Sequence, residues 1–421
     1  MRVPVTLAVV GAGSRGTSYA GLAATADRAR VVAVAEPRPF QRARMAAACG
    51  IDPGRAVADW RELAARPRLA DAVIIATPDL LHAEPAVRFA KLGYHVLLEK
   101  PMAPTEQECE RIVEAVERAG VLLAVGHVLR YTPYTKVLKL IVDSGRIGDV
   151  VGVEHLEPVG WWHHAHSYVR GNWRREDQAT PMLMAKSCHD LDWLAHLVGR
   201  RALRVSSFGG LHHFRAEHRP EGAADRCLDC QLEPGCPYSA KRLYLSCLGD
   251  PARESWPLSV ITDDLTADGV LRALRDGPYG RCVYACDNDV VDHQVVSLEY
   301  DGGVTASFTM TAFTPVEHRK SRVFGTHGYV DGDGTRLRLV DFRTGGEELI
   351  DTSARDGVAA ADGHGGGDAG LVDAFLDAVA TGDASRILSG PRDSLDSCRV
   401  VWAAEQARRA GTVVSLAAPA P

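Results

Sequence analysis

The chain has 421 residues, 46% of them hydrophobic and 24% charged. This is the balance of ordinary globular domains rather than of disordered or fibrous chains, and at roughly 100 to 200 residues per domain two or three domains are expected. A formal net charge of -6 gives no concentration of Lys and Arg for a phosphate backbone, which excludes nucleic acid as a partner. The longest apolar runs are of the Val121 to Val125 kind, far from the ~18 consecutive residues of a membrane span, so no membrane partner is expected. The opening Met1-Arg2-Val3-Pro4 leads through Val5 to Val10 into a glycine cluster with no small-residue cleavage site. It reads as a buried first strand rather than a signal peptide, and the protein as cytoplasmic.

In chain order, short β-branched runs at Leu7 to Val10, Val31 to Ala35, Ala72 to Ala76, His95 to Leu98 and Val121 to Val125 alternate with helical patterns. Near-continuous apolar strands joined by crossover helices imply a doubly wound parallel sheet covered on both faces. From about Val150 the period changes to two. Val304, Ala306, Phe308, Met310 and Ala312 face one way, and Thr305, Ser307, Thr309 and Thr311 the other, which marks an antiparallel sheet with one wet face. Asp301-Gly302-Gly303 joins that strand to Val295 to Tyr300 as a hairpin. Helical stretches at about Ala369 to Ala380 and Asp393 to Arg409 follow the cluster Gly363-His364-Gly365-Gly366-Gly367-Asp368, and the tail Ala417 to Pro421 is expected to be loose. The expectation is an α/β chain: a nucleotide domain over residues 1–126, then a second α/β domain over 127–421 with a large, mostly antiparallel sheet and a Cys-rich loop at about 212–247.

Gly11-Ala12-Gly13-Ser14-Arg15-Gly16 is G-x-G-x-x-G directly after the first strand. The glycines allow a tight turn and close approach of a pyrophosphate to a helix N-terminus, whose free N–H groups favour an anion. Glu36 ends the second strand at about the ~20-residue distance where an acid bonds the ribose of NAD. This context makes the first domain a Rossmann domain for NAD; Arg38 and Arg42 follow Glu36 closely enough to accommodate the 2′-phosphate of NADP as well. The segments Ala76-Thr77-Pro78-Asp79-Leu80-Leu81-His82 and Leu98-Glu99-Lys100-Pro101 each end a strand in a polar turn. Ligands sit outside the carboxyl ends of such strands, so Thr77, Pro78, His82, Glu99 and Lys100 are expected to line the cofactor cleft.

Through Gly11 to Gly16, Thr77-Pro78, His82 and Glu99-Lys100-Pro101, then Gly126-His127, Arg130-Tyr131, Pro133 and Ser144-Gly145-Arg146-Ile147-Gly148, the chain resembles the glucose-fructose oxidoreductase, inositol dehydrogenase and rhizopine-catabolism family (Gfo/Idh/MocA). The resemblance covers essentially the whole length. It implies that Lys100 sits beside the nicotinamide and the substrate carbinol, and that Arg130 and Tyr131, at the family's domain junction, face the substrate. It also implies that His189, in Lys186-Ser187-Cys188-His189-Asp190-Leu191-Asp192, exchanges the hydroxyl proton, because sugar and inositol dehydrogenases of the family read D-x-x-x-H-x-x-D here. The acid four residues before His189 is replaced by Ala185. Either another group holds the substrate, with Lys186 the nearest candidate, or the chemistry differs from simple dehydrogenation. The plainer reading of His189 is a helix-capping residue.

Hydride transfer from a carbinol requires that its O–H proton leave to a base with a pKa near working pH. A neutral histidine meets that need, and a lysine does when burial or neighbouring cations lower its pKa. Lys100 and His189 are therefore the candidate catalytic pair. The loop Trp161-Trp162-His163-His164-Ala165-His166, continuing to Tyr168-Val169-Arg170-Gly171-Asn172-Trp173, combines aromatic faces with polar donors. Such a loop suits the C–H faces and hydroxyl rim of a sugar, and His166, Arg170, Asn172 and Trp173 are its candidate contacts; an aromatic core corner is the alternative. Asp292 and His293 either reach the same cleft or pair in the core. Cys227-x2-Cys230-x5-Cys236, in a Pro- and Gly-rich loop, suggests structural zinc with His213 as fourth ligand and Cys247 as second choice. His364 belongs to a glycine-hinged lid or to a linker.

The expected protein is thus an NAD(P)-dependent oxidoreductase acting on a secondary alcohol of a sugar, glycoside or cyclitol, working as a homodimer or homotetramer. The alternative is a redox-neutral NAD-dependent glycosidase that oxidises a ring carbon, eliminates the aglycone and returns the hydride. A non-catalytic binding protein is the third reading, opposed by the presence of both Lys100 and His189.

Overall fold

Val5–Val10 (β1) runs up the middle of a parallel sheet whose other strands are Ala29–Ala35 (β2), Ala56–Val57 (β3), Ala72–Ile75 (β4), His95–Leu98 (β5) and Leu123–Val125 (β6). The computed structural model describes residues 4–25, 28–353 and 364–416; the expected loose tail and Gly363 lie outside these. The strand order is β3-β2-β1-β4-β5-β6, with every pair parallel. Alternate side chains enter different cores: Ala8, Val10, Val73 and Ile75 on one face, Leu7, Val9, Ile74 and Leu97 on the other. That is why these strands read as unbroken apolar runs. β3 has only two residues, too few for any periodicity to reveal.

The second sheet has nine strands: Val150–Pro158 (β7), Ala202–Gly210 (β8), His293–Tyr300 (β9), Thr305–Thr311 (β10), Lys320–Gly325 (β11), Gly328–Gly332 (β12), Arg336–Asp341 (β13), Gly346–Asp351 (β14) and Val414–Ser415 (β15), in the order β14-β13-β12-β11-β7-β10-β9-β8-β15. Val304, Ala306, Phe308, Met310 and Ala312 are buried, and the β9–β10 hairpin closes as expected, with Ala306 opposite Leu298. Neighbours are antiparallel except β10 and β7. β7 inserts between β10 and β11 at the centre of the sheet, a placement that local alternation does not encode. Residues 211–292, between β8 and β9, form a lobe of short helices and turns.

The chain then returns to the first sheet. Helix Gly367–Thr381 adds Leu371, Val372, Phe375 and Leu376 to the core containing Leu7 and Val9. Helix Pro391–Ala410 packs Leu395, Cys398, Val401 and Ala404 into the core that both sheets share. Among the described residues no helix is long and apolar enough to cross a membrane.

Arg130 and Tyr131, expected at the substrate, instead pin this junction. The Arg130 guanidinium donates from Nε and Nη2 to the two carboxylate oxygens of Asp192, both at 2.7 Å, and from Nη1 to the Leu388 carbonyl at 2.5 Å. Tyr131 Oη accepts the N–H groups of Leu388 and Ser389 at 2.9 and 3.0 Å. Burial opposes the charge on Asp192, yet Arg130 keeps its carboxyl below the ordinary range. Removing one partner of a buried pair strands the other charge. Asp192→Ala should therefore cost about 3–5 kcal/mol in urea unfolding, and Arg130→Met combined with Asp192→Leu should recover part of it; losses that simply add would show that the two do not act as a unit.

Candidate active site

The cleft opens where the parallel strand order reverses between β1 and β4, the usual ligand position in such sheets. Gly11 has φ +94° and a Cβ there would lie 2.5 Å from the Ala76 carbonyl oxygen, while a Cβ on Gly16 would overlap the Gly11 carbonyl. The turn is thus shaped by backbone meeting backbone, and only glycine fits. Ser14 begins helix Ser14–Thr25 and is exposed at its mouth, so free N–H groups at that end face an open cleft. The buried Glu36 carboxylate accepts the Ala12 N–H at 2.8 Å and binds Arg38 through Nε at 2.7 Å and Nη2 at 3.1 Å. Burial opposes ionisation, but Arg38 and the backbone donors hold its pKa below the ordinary value. These residues fit a dinucleotide: a cradle for pyrophosphate and an ionised acceptor for ribose hydroxyls.

Other expected cofactor contacts have structural partners. Arg15 binds Asp368 through Nη1 at 3.0 Å and Nη2 at 2.5 Å, and its Nε lies 3.3 Å from Glu99; Tyr19 donates to Glu99 at 2.6 Å. Arg15 and Glu99 are therefore occupied with each other beneath the turn. His82 is fully buried with its ring nitrogens against the carbonyls of Pro101 and Thr77, at 2.8 and 2.9 Å. It ties the Thr77-Pro78 turn to the segment carrying Lys100. Thr77 is half-buried and Pro78 exposed along the cleft.

Lys100 leaves the end of β5 and donates to the Ala185 carbonyl at 2.6 Å. The residue where the resemblance leads one to expect an acid thus anchors the lysine through its backbone. His189 lies in the first turn of helix Cys188–Val198. It is buried, and neither ring nitrogen has a partner among the described residues. Its ring is 6.0 Å from that of His127 and 5.5 Å from that of His364. Burial first, then the Lys100 charge, push its pKa well below the ordinary value. The neutral imidazole is therefore favoured at His189, and among the described residues neither nitrogen has a hydrogen-bond partner. It is not a cap, since Ser187 occupies that position.

Sequence reading missed the groups that supply the negative charge here. Glu157, on β7, lies 3.1 Å from Lys186 Nζ and 2.8 Å from Arg319 Nε. Arg319 also binds Asp190 at 2.5 Å, and His155 reaches the same carboxylate at 3.0 Å. Burial opposes charge on Asp190, but Arg319 and His155 hold its carboxyl far below the usual range. Burial lowers Lys186, partly offset by Glu157. Glu157 sits on the buried side of an alternating strand, the one available signal for it. His364, beside the cleft, shares a hydrogen bond with Asp368 at 3.1 Å.

Of the four expected sugar contacts, Trp173 meets a cleft residue: its indole N–H donates to Asp79 at 3.2 Å. Burial raises the pKa of Asp79, opposed by His82 and Lys100. Asn172 is exposed. His166 and Arg170 turn away into the 211–292 lobe. His166 hydrogen-bonds Tyr244 at 2.7 Å and stacks on Tyr279; burial, then Arg170, push it down to about 3. Arg170 donates to the carbonyls of Arg281 and Tyr238, both at 2.7 Å. Asp292 pairs in the core, accepting the N–H groups of His212 and His213 at 2.9 and 2.7 Å. The expected zinc centre is not assembled: among the described residues no group of three or more His, Cys, Asp or Glu side chains converges to hold a metal ion. His213 instead shares a hydrogen bond with Tyr284 at 3.0 Å, and the Cys247 thiol donates to the Leu243 carbonyl at 3.2 Å.

The sequence matches two family models: the oxidoreductase family, NAD-binding Rossmann fold, over residues 5–127, and the oxidoreductase family, C-terminal alpha/beta domain, over residues 139–416. It is 25% identical over 274 residues to YteT of Bacillus subtilis (strain 168), covering 62% of this chain and 60% of that one. To the 2,7-anhydro-N-acetylneuraminate hydratase of Escherichia coli (strain K12) it is 31% identical over 143 residues, 34% of this chain and 37% of that one. To inositol 2-dehydrogenase 2 of Saccharopolyspora erythraea it is 36% identical over 138 residues, 32% of this chain and 38% of that one. The chain thus matches about four to six tenths of the length of these curated relatives. The fold is shared with an Agrobacterium radiobacter oxidoreductase solved with NAD+, L-tartaric acid and magnesium, at TM-score 0.72, 16% identity and 98% coverage of both chains. It is shared also with the aldose-aldose oxidoreductase of Caulobacter crescentus complexed with glycerol, at TM-score 0.67 and 19% identity over 98% of this chain and 100% of that one. With both halves matched and the glycine turn, E-K-P segment and buried histidine in one cleft, the chain belongs to the Gfo/Idh/MocA oxidoreductase family.

Proposed function

We propose that the protein is an NAD-dependent dehydrogenase acting on a secondary alcohol of a sugar, glycoside or cyclitol, with Lys100 and His189 moving the hydroxyl proton. The observation that carries this reading is the buried His189, unpartnered on both nitrogens among the described residues, its pKa pushed down first by burial and then by the Lys100 charge. A buried polar group without a partner is costly, and a substrate hydroxyl would satisfy it. Gly11, Gly13, Ser14 and Gly16 would hold the cofactor's pyrophosphate and Glu36 its adenosine ribose. When bound, the cofactor supplies the hydride acceptor.

The rest is the work of the chain. His189 takes the hydroxyl proton, or Lys100 passes it on, and the adjacent cations Lys186 and Arg319 stabilise negative charge on the substrate oxygen as its proton leaves. Glu157 orients Lys186, the role left open by Ala185. The ionised Glu36 carboxylate disfavours a 2′-phosphate, which favours NAD over NADP. Phe208 and Val295, paired across β8 and β9, are exposed on the outer face of the second sheet and support a homodimer or homotetramer through that face.

The redox-neutral glycosidase remains the second reading, favoured by Ala185 and by the hydratase among the relatives. Absorbance of reduced nicotinamide separates the two when NAD is supplied with sugars, aryl glycosides and inositols in turn. A sustained rise with one of them supports the dehydrogenase; a flat trace with aglycone release supports the glycosidase. Lys100→Met should lower kcat/KM by about 10²–10⁴ while NAD affinity by fluorescence titration is kept; normal turnover would remove Lys100 from the relay. Because His189 stays neutral well below its ordinary value, kcat/KM should remain flat as pH falls through about 6.5, and a loss of activity at that pH would mean that its proton-accepting form is not protected. Glu36→Ala should weaken NAD and narrow or reverse its advantage over NADP; an unchanged affinity for both would place the ribose elsewhere.

A further inference from the structure

Trp161 and Trp162, which open the aromatic segment after β7, line a cavity of about 530 Å³ against the 211–292 lobe, a volume within the range of small-molecule sites. Lys100, Lys186 and His189 are not among its lining residues, so it is distinct from the cleft already described. Trp161 is 38% exposed, and its indole N–H donates to the Pro237 carbonyl at 3.3 Å, which fixes the ring. Trp162 is half-buried and packs on Trp256 with ring centroids 5.4 Å apart. Two indoles held beside open space offer a ligand apolar faces to lie on.

Three arginines line the same cavity: Arg170, Arg242 and Arg253. Among the described residues no carboxylate pairs with any of them. Arg170 donates to the carbonyls of Arg281 and Tyr238 and to the Cys227 sulfur. Arg242 donates to the carbonyls of Pro234 and Cys236. Arg253 donates to the carbonyl and hydroxyl of Ser246, at 2.9 and 3.2 Å, beside the Cys247 thiol. Such oxygens orient a guanidinium without neutralising it. Arg170 is also 1% exposed, and its Nη1 has no hydrogen-bond partner among the described residues. A guanidinium cannot shed its proton in a protein, and a buried lone cation is strongly disfavoured.

The acids nearest in sequence are engaged elsewhere. Asp250 accepts the N–H groups of Ala252 and Arg253 at 3.0 and 3.3 Å, and Glu254 accepts the Gly249 N–H at 2.7 Å. Glu233 accepts the Ser239 hydroxyl and lies 4.0 Å from Lys241. None of these three carboxylates lines the cavity. The lining therefore joins uncompensated positive charge to aromatic surface. Forked guanidinium donors match the oxygens of a carboxylate or phosphate, and an indole face matches the C–H face of a pyranose.

We propose that this cavity binds an acidic sugar, one pyranose ring carrying a carboxylate or a phosphate. Arg242 and Arg253 take its oxyanion, the indoles of Trp161 and Trp162 take its ring, and its charge compensates the buried Arg170 behind them. The site is separate from the one that the dehydrogenase reading assigns and does not rest on that reading.

The test is isothermal titration of the full-length protein with D-glucuronate, D-glucose 6-phosphate, D-glucose, inorganic phosphate and AMP in turn. At least one of the two acidic sugars should bind with Kd of about 1 mM or tighter, about tenfold or more ahead of D-glucose, inorganic phosphate and AMP, and added salt should weaken it. The tighter of the two identifies the anion as carboxylate or phosphate. Arg242→Gln and Arg253→Gln should each weaken that binding by about tenfold or more. Arg242→Lys, which keeps the charge, should lose less, a rescue that mere loosening of the lobe would not give. Lys186→Met, in the cleft, should leave the binding as it was. The proposal is overturned if neither acidic sugar binds, if D-glucose, inorganic phosphate or AMP binds as tightly, or if Lys186→Met abolishes binding that both arginine variants retain. None of these results bears on nicotinamide reduction, by which the dehydrogenase reading is judged.

Discussion

Two buried carboxylates on one helical turn set the candidate active site. A helix turns about 100° per residue, so Asp190 and Asp192 leave helix Cys188–Val198 on different sides of His189. Asp190 binds Arg319 and His155, fixing the helix to the second sheet. Asp192 binds Arg130 and accepts a hydrogen bond from Ser397 at 2.8 Å, fixing it to the junction and to the last long helix. Each charge is costly to bury and tolerable only in its paired geometry, so the two pairs together leave the helix little freedom to rotate. His189 lies between them with no hydrogen-bond partner of its own among the described residues. Its availability is thus a product of the rigidity of its neighbours.

The same logic accounts for Ala185. With no carboxylate at that position, the cations Lys100, Lys186 and Arg319 are set against Glu157, Asp190 and, in the field of Lys100, Asp79. Asp190 is committed to Arg319 and His155, and Glu157 is shared between Lys186 and Arg319. Lys100 rests on a carbonyl rather than on an acid. A carbonyl orients an ammonium group without neutralising it, so the field beside His189 is more positive than one with an acid at 185 would be. Burial first, and then that field, hold the His189 pKa down.

What was legible in the sequence follows from how local its cause is. The glycine turn could be read because Gly11 and Gly16 answer to backbone contacts within their own strand-to-helix turn and its neighbouring strand. The apolar runs of β1, β4 and β5, and the alternation of β10, record burial that each strand meets along its own length. Arg130 was misleading because its partner Asp192 lies far along the chain, and an arginine beside a domain junction looks the same whether it meets a substrate or a carboxylate. Glu157 offered only its place in an alternating strand, and one acid there resembles a wet-face residue until the neighbouring strands show which face is inside. Likewise His166 and Arg170 looked like sugar contacts from composition, but the turn Ala165–Arg170 directs them to Tyr244 and Cys227.

That turn also shows why the lobe and the cleft need not be separate matters. The segment from Trp161 to Trp173 leaves β7 close to Glu157, sends His166 and Arg170 into the lobe, and returns to place Trp173 against Asp79. Asp79 in turn lies among the charges of His82 and Lys100. A segment held only by its cleft end would have one hydrogen bond to fix an indole; held also by the buried Arg170, it is anchored on both sides. Stability in the lobe is therefore transmitted to the substrate side of the cleft through packing and hydrogen bonds along one short stretch of chain.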